Sequence, residues 1–279
     1  MLTRIQKHIV EILKPTKSSQ VFIAGGCALN RNTVRISEDI DIFGKTDDAI
    51  TSIAHKDLAI LKKNNFSIDI HKDLPGWVEG EISLDGEKTL VQWIWDDEFH
   101  FLPIQEDSEF GYALHPCDLA VNKITAAFGR RKARDYVDLA LIDQTYAPLG
   151  IFIWAAPGKI RRAHLTPLEI IEEIRRRFSA HPQELYQNIT MTNGADPLEL
   201  IATLDDVLDR ATVYVEAFAP ADYYGCLFID KNGKPILATD ESIKSGSVKP
   251  IKASQQGLWP RFDEQPWVKP DVTTGYSNP

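Results

Sequence analysis

The sequence predicts an α+β protein, with a mixed sheet flanked by helices over residues 1–147 and a mainly helical region after it. Three observations lead there. Short apolar runs bounded by glycine or proline turns crowd the first hundred residues. Stretches of helical periodicity interrupt and follow them. Beyond residue 148 the strand-like runs thin out and apolar positions recur at helical spacing, so we divide the chain into 1–147, a helical 148–220, and 221–279.

The opening "MLTRIQKHIVEILKP" sets Leu2, Ile5, Ile9, Ile12 and Leu13 at helical spacing, and Pro15 closes it. It reads as neither a signal peptide nor a membrane span, because its apolar run is too short. "SQVFIAGG" predicts a buried strand ending in a glycine turn, and "ISEDIDIF" a second strand. "TDDAITSIAHKDLAILKKN" has helical periodicity after a cap-like Thr46-Asp47-Asp48. "FSIDIH", "VEGEISLDG" and "KTLVQWIWDD" read as strands, with turns at Pro75-Gly76 and Asp85-Gly86. Pro116 opens a helix that Gly129 follows, and "RRKARDYVDLALIDQ" gives another. Thr-Pro and Asp-Pro starts then open two or three amphipathic helices. "GCLFIDKNGKPIL" predicts a hairpin about Asn232-Gly233. In the final stretch, Trp259, Phe262 and Trp267 predict a tail lying on a surface.

A formal charge of −9 argues against a general nucleic-acid coat but leaves room for a local basic groove. Cys27, Cys117 and Cys226 are widely spaced and fit no metal or disulfide pattern, which predicts a reducing, cytoplasmic setting with no membrane attachment.

Chemistry concentrates in two places. "DIDIF" alternates acid and apolar residues, so a strand there sets Asp39 and Asp41 on one face and both isoleucines on the other. Paired acids on a pleated surface repel each other unless a positive charge joins them. A calcium loop fits Gly44 but not Phe43 or Ile50, where it needs an acid and a glutamate. Arg35, Ser37, Asp39 and Asp41 fall on one face of the expected strand. The preceding Gly25-Gly26 could present backbone N–H groups to an anion, or serve turn geometry alone. With the glycines beside them, the two aspartates favour a Mg²⁺ site completed by phosphate oxygens and water. In the second place, Lys123 emerges among Val121, Ile124 and Ala126, either snorkelling or reaching for phosphate. Arg130, Arg131, Lys132 and Arg134 follow, with Asp135 and Asp138 a helical turn apart. For Arg131 and Lys132 ordinary salt bridges are expected.

Gly25-Gly26, Arg35-x-Ser37-x-Asp39-x-Asp41, Asp118-x4-Lys123 and Arg134-Asp135-x2-Asp138, in this order, resemble the AbiEii/AbiGii nucleotidyltransferase toxins. These belong to the DNA polymerase β-like nucleotidyltransferase superfamily, which also holds the MenT toxins. The resemblance covers residues ~20 to ~145 and implies a polymerase β-like nucleotidyltransferase domain. It implies Gly25, Gly26 and Ser37 as the triphosphate cradle, Asp39 and Asp41 as metal ligands, Lys123 as a triphosphate neutraliser and Asp135 as an orienting acid. Arg35 belongs with the nucleotide-binding set. The implied reaction is attack of an acceptor hydroxyl on the α-phosphate of an NTP with loss of pyrophosphate, the acceptor being a tRNA 3′ end and the partner an antitoxin encoded nearby. A protein or small-molecule hydroxyl as acceptor, or a lapsed nucleotide-binding protein, are the alternatives. Arg130–Arg134, Arg161-Arg162 and Arg175–Arg177 could line an RNA groove. Two positions depart from the family pattern. Cys27 stands where Ser or Thr usually follows the glycines, and Gln92 where a third carboxylate is common, with Asp69 or Asp96 as possible substitutes.

Overall fold

The computed structural model describes residues 1–96, 99–160 and 164–254. Trp259, Phe262 and Trp267 therefore lie outside the described residues. In chain order, α1 (Arg4–Leu13), β1 (Val21–Ala24), α2 (Gly25–Asn30), β2 (Asp39–Gly44) and α3 (Asp47–Lys63) lead into the β3 (Ser67–Leu74), β4 (Trp77–Leu84) and β5 (Glu87–Trp95) meander. A short hairpin, β6 (Gln105–Asp107) and β7 (Gly111–Ala113), precedes α4 (Pro116–Gly129), α5 (Ala133–Thr145) and α6 (Leu149–Ala155). Then come α7 (Pro167–Ser179), α8 (Pro197–Ala202), α9 (Leu204–Ala217), β8 (Leu227–Asp230), α10 (Asp240–Lys244) and β9 (Val248–Ile251). The expected α+β architecture is thus present, a mixed sheet with helices followed by a mainly helical region.

Seven strands form one sheet in the order β3-β4-β5-β2-β1-β7-β6. β2 runs antiparallel to β1 and parallel to β5, with Asp39 opposite Leu90 and Asp41 opposite Gln92. Its period-two pattern works as the sequence implies: Ile40 and Ile42 are buried, while Asp39, Asp41 and Phe43 share the other, half-buried face. On the apolar face Ile40, Ile42, Val91 and Trp93 join one core with Ile5 and Ile9 of α1 and Ile50 and Leu61 of α3. The opposite face stays open beside β2 and β5. A second core gathers α4 to α9 around Tyr136, Phe152, Ile170 and Leu208.

Four departures have physical causes. β2 begins only at Asp39, because the backbone of Val34 to Ile36 is captured elsewhere. Ile36 N–H donates to the Thr190 carbonyl (3.0 Å) and Thr192 N–H to that of Val34 (2.8 Å). Arg35 and Ser37 therefore lie on a loop and not on the pleated face. The β6–β7 hairpin has only three residues per strand, too few for periodicity to register. In α6, "LGIFIWA" is buried on every side and so shows no amphipathic period. The turn expected at Asn232-Gly233 forms, with Gly233 N–H on the Asp230 carbonyl (3.0 Å). The sheet partner of β8 is nonetheless β9, antiparallel. Pro235, with no N–H, supports only an isolated bridge to Ile229.

Asp57 on α3 ties this domain together. Its carboxylate accepts from Lys17 Nζ (2.7 Å), Thr16 Oγ1 (2.7 Å) and Trp93 Nε1 (2.8 Å), and neither ionic side chain touches solvent. Removing the acid strands a buried ammonium and an indole donor. We expect Asp57→Ala to cost about 3–5 kcal/mol, read from the urea midpoint; an unchanged midpoint would remove this pair from the core's support.

Candidate active site

The open face of the sheet forms the floor of a cleft of about 1240 Å³. Ala24, Gly25, Gly26, Asp39, Asp41 and Gln92 line the floor, Lys123 and Arg130 to Arg134 one wall, and His181, Leu185, Asn188 and Ile189 another. No sequence signal pointed to that last segment; the backbone pairing of Thr190–Thr192 with Val34–Ile36 carries it there.

Gly25 has φ +63°, and a Cβ on it would stand 1.6 Å from Asp41 Oδ2. Only glycine can take that conformation with the carboxylate so close. A Cβ on Gly26 would lie 2.7 Å from Ser37 Oγ and 2.9 Å from Arg35 Nη2. The glycine pair thus lets Asp41, Ser37 and Arg35 crowd one turn, and the Gly26 N–H bonds to Asp41 itself. Cys27 is turned away, buried, with Sγ 3.3 Å from the Ala24 carbonyl oxygen, and burial pushes its thiol pKa up. Its departure from the family pattern leaves the cleft surface untouched.

Burial, and then the charge on Asp39, push the Asp41 pKa up to about 7. Lys123, Arg134 and the Gly26 N–H act against this without offsetting it. Asp39 is better supplied: it accepts from Ser37 Oγ (3.1 Å) and Arg134 Nη2 (3.4 Å), while Arg134 Nη1 also reaches Glu38 (3.0 Å).

Behind the pair lies a buried ionic network. Asp138 accepts from Arg35 Nε (2.6 Å) and Nη2 (3.1 Å), from Asn30 Nδ2 (2.9 Å) and from Lys123 Nζ (2.8 Å). Asp135 accepts from Lys123 Nζ (3.0 Å), Arg130 Nε (2.8 Å) and Arg130 Nη2 (3.1 Å). Burial alone would raise both acids. Lys123 and Arg130 outweigh it at Asp135 and hold that pKa at about 2; Arg35 and Lys123 do the same at Asp138, which stays below the usual range. Burial would lower Lys123, but Asp138 and Asp135 raise it, so it stays charged.

Other expected residues fall in varied places. Arg131 and Lys132 stand exposed at the cleft between α4 and α5 and make no ion pair among the described residues, contrary to the ordinary salt bridges expected there. The loop holds them beyond reach of the acids that Arg130 and Arg134 take. Arg175 faces Asp205 (3.0 Å) and Asp209 (2.7 Å), and Arg176 and Arg177 both face Glu173. That basic run is neutralised on α7 and does not line the cleft; Arg161 and Arg162 lie outside the described residues. Asp118 accepts from the backbone N–H groups of Phe101 and Leu102 (2.9 Å each) and pairs with Lys159 (2.6 Å), which makes it a scaffold residue. Asp69 is exposed on β3, separated from β2 by β4 and β5, and so does not substitute for an acid at Gln92. Asp96 lines the cleft and lies 3.1 Å from His100 Nε2.

Among the described residues no group of three or more His, Cys, Asp or Glu side chains is placed to hold a metal ion. The carboxylates that could hold one are Asp39 and Asp41, adjacent on one strand face and facing the open cleft. That suits Mg²⁺, which takes one or two protein carboxylates and fills its octahedron with phosphate oxygens and water.

The profile of a protein family described as "Nucleotidyl transferase AbiEii toxin, Type IV TA system" matches residues 10–210. Two solved structures align with the chain. MenT4, a nucleotidyltransferase toxin from Mycobacterium tuberculosis H37Rv, does so at 13% identity and a TM-score of 0.53, over 75% of this chain and 82% of its own. An H. pylori protein described as a candidate nucleotidyltransferase aligns at 15% identity and a TM-score of 0.49, over 76% of this chain and 94% of its own. No curated protein matches the chain significantly.

The raised Asp41 pKa has a consequence for stability. From about pH 4, where a free carboxyl ionises, to about pH 7 the folded protein binds a proton that the unfolded chain releases. Asp41 therefore destabilises the metal-free fold increasingly through that window, and fully above it. We expect Asp41→Asn to raise the melting temperature of metal-free protein by several degrees at pH 8 and much less at pH 5. Equal gains at both pH values would contradict the assignment.

Proposed function

Since the chain belongs to the AbiEii family of nucleotidyl transferase toxins of type IV toxin–antitoxin systems, we propose that it is a Mg²⁺-dependent enzyme that transfers a nucleoside monophosphate from NTP to the 3′ end of tRNA, releasing pyrophosphate. The observation that carries this reading is the Asp39–Asp41 pair, on one strand face in a cleft walled by Lys123, Arg130 and Arg134.

Asp39 and Asp41 would hold the cation. A bound Mg²⁺ would supply positive charge to the triphosphate. Gly25 and Gly26, having no side chains, let Asp41, Ser37 and Arg35 close in on the turn that would lie beneath the triphosphate. Lys123 contributes a permanent positive charge, since Asp135 and Asp138 keep it protonated and still. Arg130 and Arg134 are likewise held by carboxylates, so the positive wall needs little reorganisation when phosphate arrives. Arg131 and Lys132, exposed at the cleft, are suited to the backbone of an RNA acceptor. An antitoxin is the expected protein partner.

The pairing of Arg175–Arg177 with acids shortens the basic track and favours one second reading, a protein or small-molecule hydroxyl as acceptor.

The test is incubation with total tRNA, Mg²⁺ and each labelled NTP in turn. Label should enter RNA with the parent protein, and Asp39→Ala or Asp41→Ala should reduce it by roughly a thousandfold or more. Label in protein or small molecules but not RNA would move the acceptor to the second reading. Transfer undiminished in both aspartate variants would overturn the site.

The RNA surface gives a separate prediction. Arg131→Ala/Lys132→Ala should weaken tRNA binding and flatten its salt dependence, by about two in the slope of log affinity against log salt, while NTP affinity holds. An unchanged slope would remove these two residues from the RNA surface.

A further inference from the structure

Gln92 is the cleft residue whose part is unexplained. It sits on β5 directly opposite Asp41 in the parallel ladder, and it lines the cleft. Opposed residues on neighbouring strands stand about 5 Å apart and point to the same face, so its side chain emerges on the same face as Asp41. On its other side, in the antiparallel ladder, the residue opposite Gln92 is Glu79 of β4. The Gln92 Nε2 donates to Glu79 Oε2.

That hydrogen bond has a definite orientation. An ionised carboxylate only accepts, so Glu79 must receive the NH₂ end of the amide. The carbonyl end, Oε1, is then the one left over. Among the described residues no donor reaches it. His71, the extra residue at a β-bulge between Ile70 and Lys72, places Nδ1 4.0 Å from Glu79 Oε1. A bulge turns one side chain out of the regular alternation, and this one sets the imidazole between Glu79 and Asp69, whose Oδ2 is 3.7 Å from Nε2. The sheet face thus carries, strand by strand, a metal-facing carboxylate, an amide, a carboxylate and an imidazole.

We infer that Gln92 is a third oxygen donor to the cation of this cleft, and that Glu79 is a positioning residue that keeps the Gln92 carbonyl, not its NH₂, turned toward Asp41. The inference rests on the reading of Asp39 and Asp41 as metal ligands. A neutral carbonyl oxygen is an acceptable ligand for a hard divalent cation. It lets the site gather three oxygens at a charge of only −2. A third carboxylate beside Asp39 and Asp41 would add repulsion where burial and Asp39 already push Asp41 up. The neutral donor avoids this, at the expense of affinity. Glu79 serves without touching the metal: if the amide turned over, the cleft would meet an NH₂ group that repels a cation.

The experiment titrates purified full-length protein with Mn²⁺, followed by electron paramagnetic resonance of the free ion, with no nucleotide or acceptor present. Parent, Asp39→Ala, Gln92→Leu, Glu79→Gln and the exchanged pair Gln92→Glu/Glu79→Gln are compared, and melting curves check that each folds. Gln92→Leu and Glu79→Gln should each weaken Mn²⁺ binding about tenfold, the range typical of groups that orient a metal ligand. The exchanged pair keeps the hydrogen bond, with the amide now on β4 as donor and the carboxylate now on β5 as acceptor, and so sets an acid beside Asp41. It should bind Mn²⁺ at least tenfold more tightly than the parent. Mn²⁺ affinity within twofold of the parent in all three, with Asp39→Ala abolishing binding, would overturn the role of Gln92 and leave the aspartate pair standing. Failure of the parent itself to bind Mn²⁺ would instead overturn the metal reading on which the inference depends.

Discussion

The buried carboxylate of Asp138 is the contact from which the cleft takes its shape. It has no solvent exposure, yet four hydrogen bonds reach it from three parts of the chain: Asn30 at the end of α2, Arg35 in the loop before β2, and Lys123 on α4. A buried charge is tolerable only when its lone pairs are filled by groups of good geometry, and removal of one partner leaves the other charged and dry. Arg35 supplies a bidentate fork, which fixes distance and plane together. The loop that delivers Asp39 is therefore anchored to the helices that deliver Lys123 and Asp135. Strand and helices face one another across the cleft because a single acid on α5 holds both.

Seen this way, the acids of the site divide by environment. Asp135 and Asp138 are surrounded by cations and held well down, so they act as fixed counter-charges. Asp41 stands on the half-buried face of β2 with another acid beside it, and its pKa is driven up. The cations that could have relieved it are already engaged, Lys123 by Asp135 and Asp138, Arg130 by Asp135 and Arg134 by Glu38. Groups of one chemical type pushed in opposite directions within one cleft mark where structural charge ends and binding chemistry begins.

What the sequence disclosed follows from the range of the forces involved. The alternation in "DIDIF" is local, so the shared face of Asp39 and Asp41 could be read directly. The glycine pair was legible as a close-approach turn, but not that its nearest neighbour is Asp41 Oδ2, since that depends on the antiparallel pairing of β1 with β2. Arg35 and Ser37 looked like a continuation of the strand; tertiary capture of that backbone by residues 190–192 took precedence over the local pattern. The tie between Arg35 and Asp138 spans a hundred positions and leaves no periodic trace. The wall at 181–189 and the partnership of Gln92 with Glu79 were invisible for the same reason. Both depend on which strands and loops become neighbours.

The division of labour along the chain supports treating the cleft as one inherited unit. Every residue that lines it falls between Ala24 and Ile189, within the family match at 10–210. The segment that follows does something else. β8 and β9 form a separate two-stranded sheet, and their apolar residues Phe228 and Val248 pack with Trp154 of α6 and Tyr214 of α9. Tyr214 seals the joint, its hydroxyl donating to the Ala238 carbonyl (3.2 Å) and accepting from the Ala238 N–H (3.1 Å). α6 is apolar on all sides because it is covered from both directions, by the helical core and by this small sheet. Among the described residues the β8–β9 unit packs on α6 and α9 and contributes nothing to the cleft lining, whereas residues 181–189 line the cleft and Thr190–Thr192 pair with the strand-leading loop that carries Arg35 and Ser37 to Asp39.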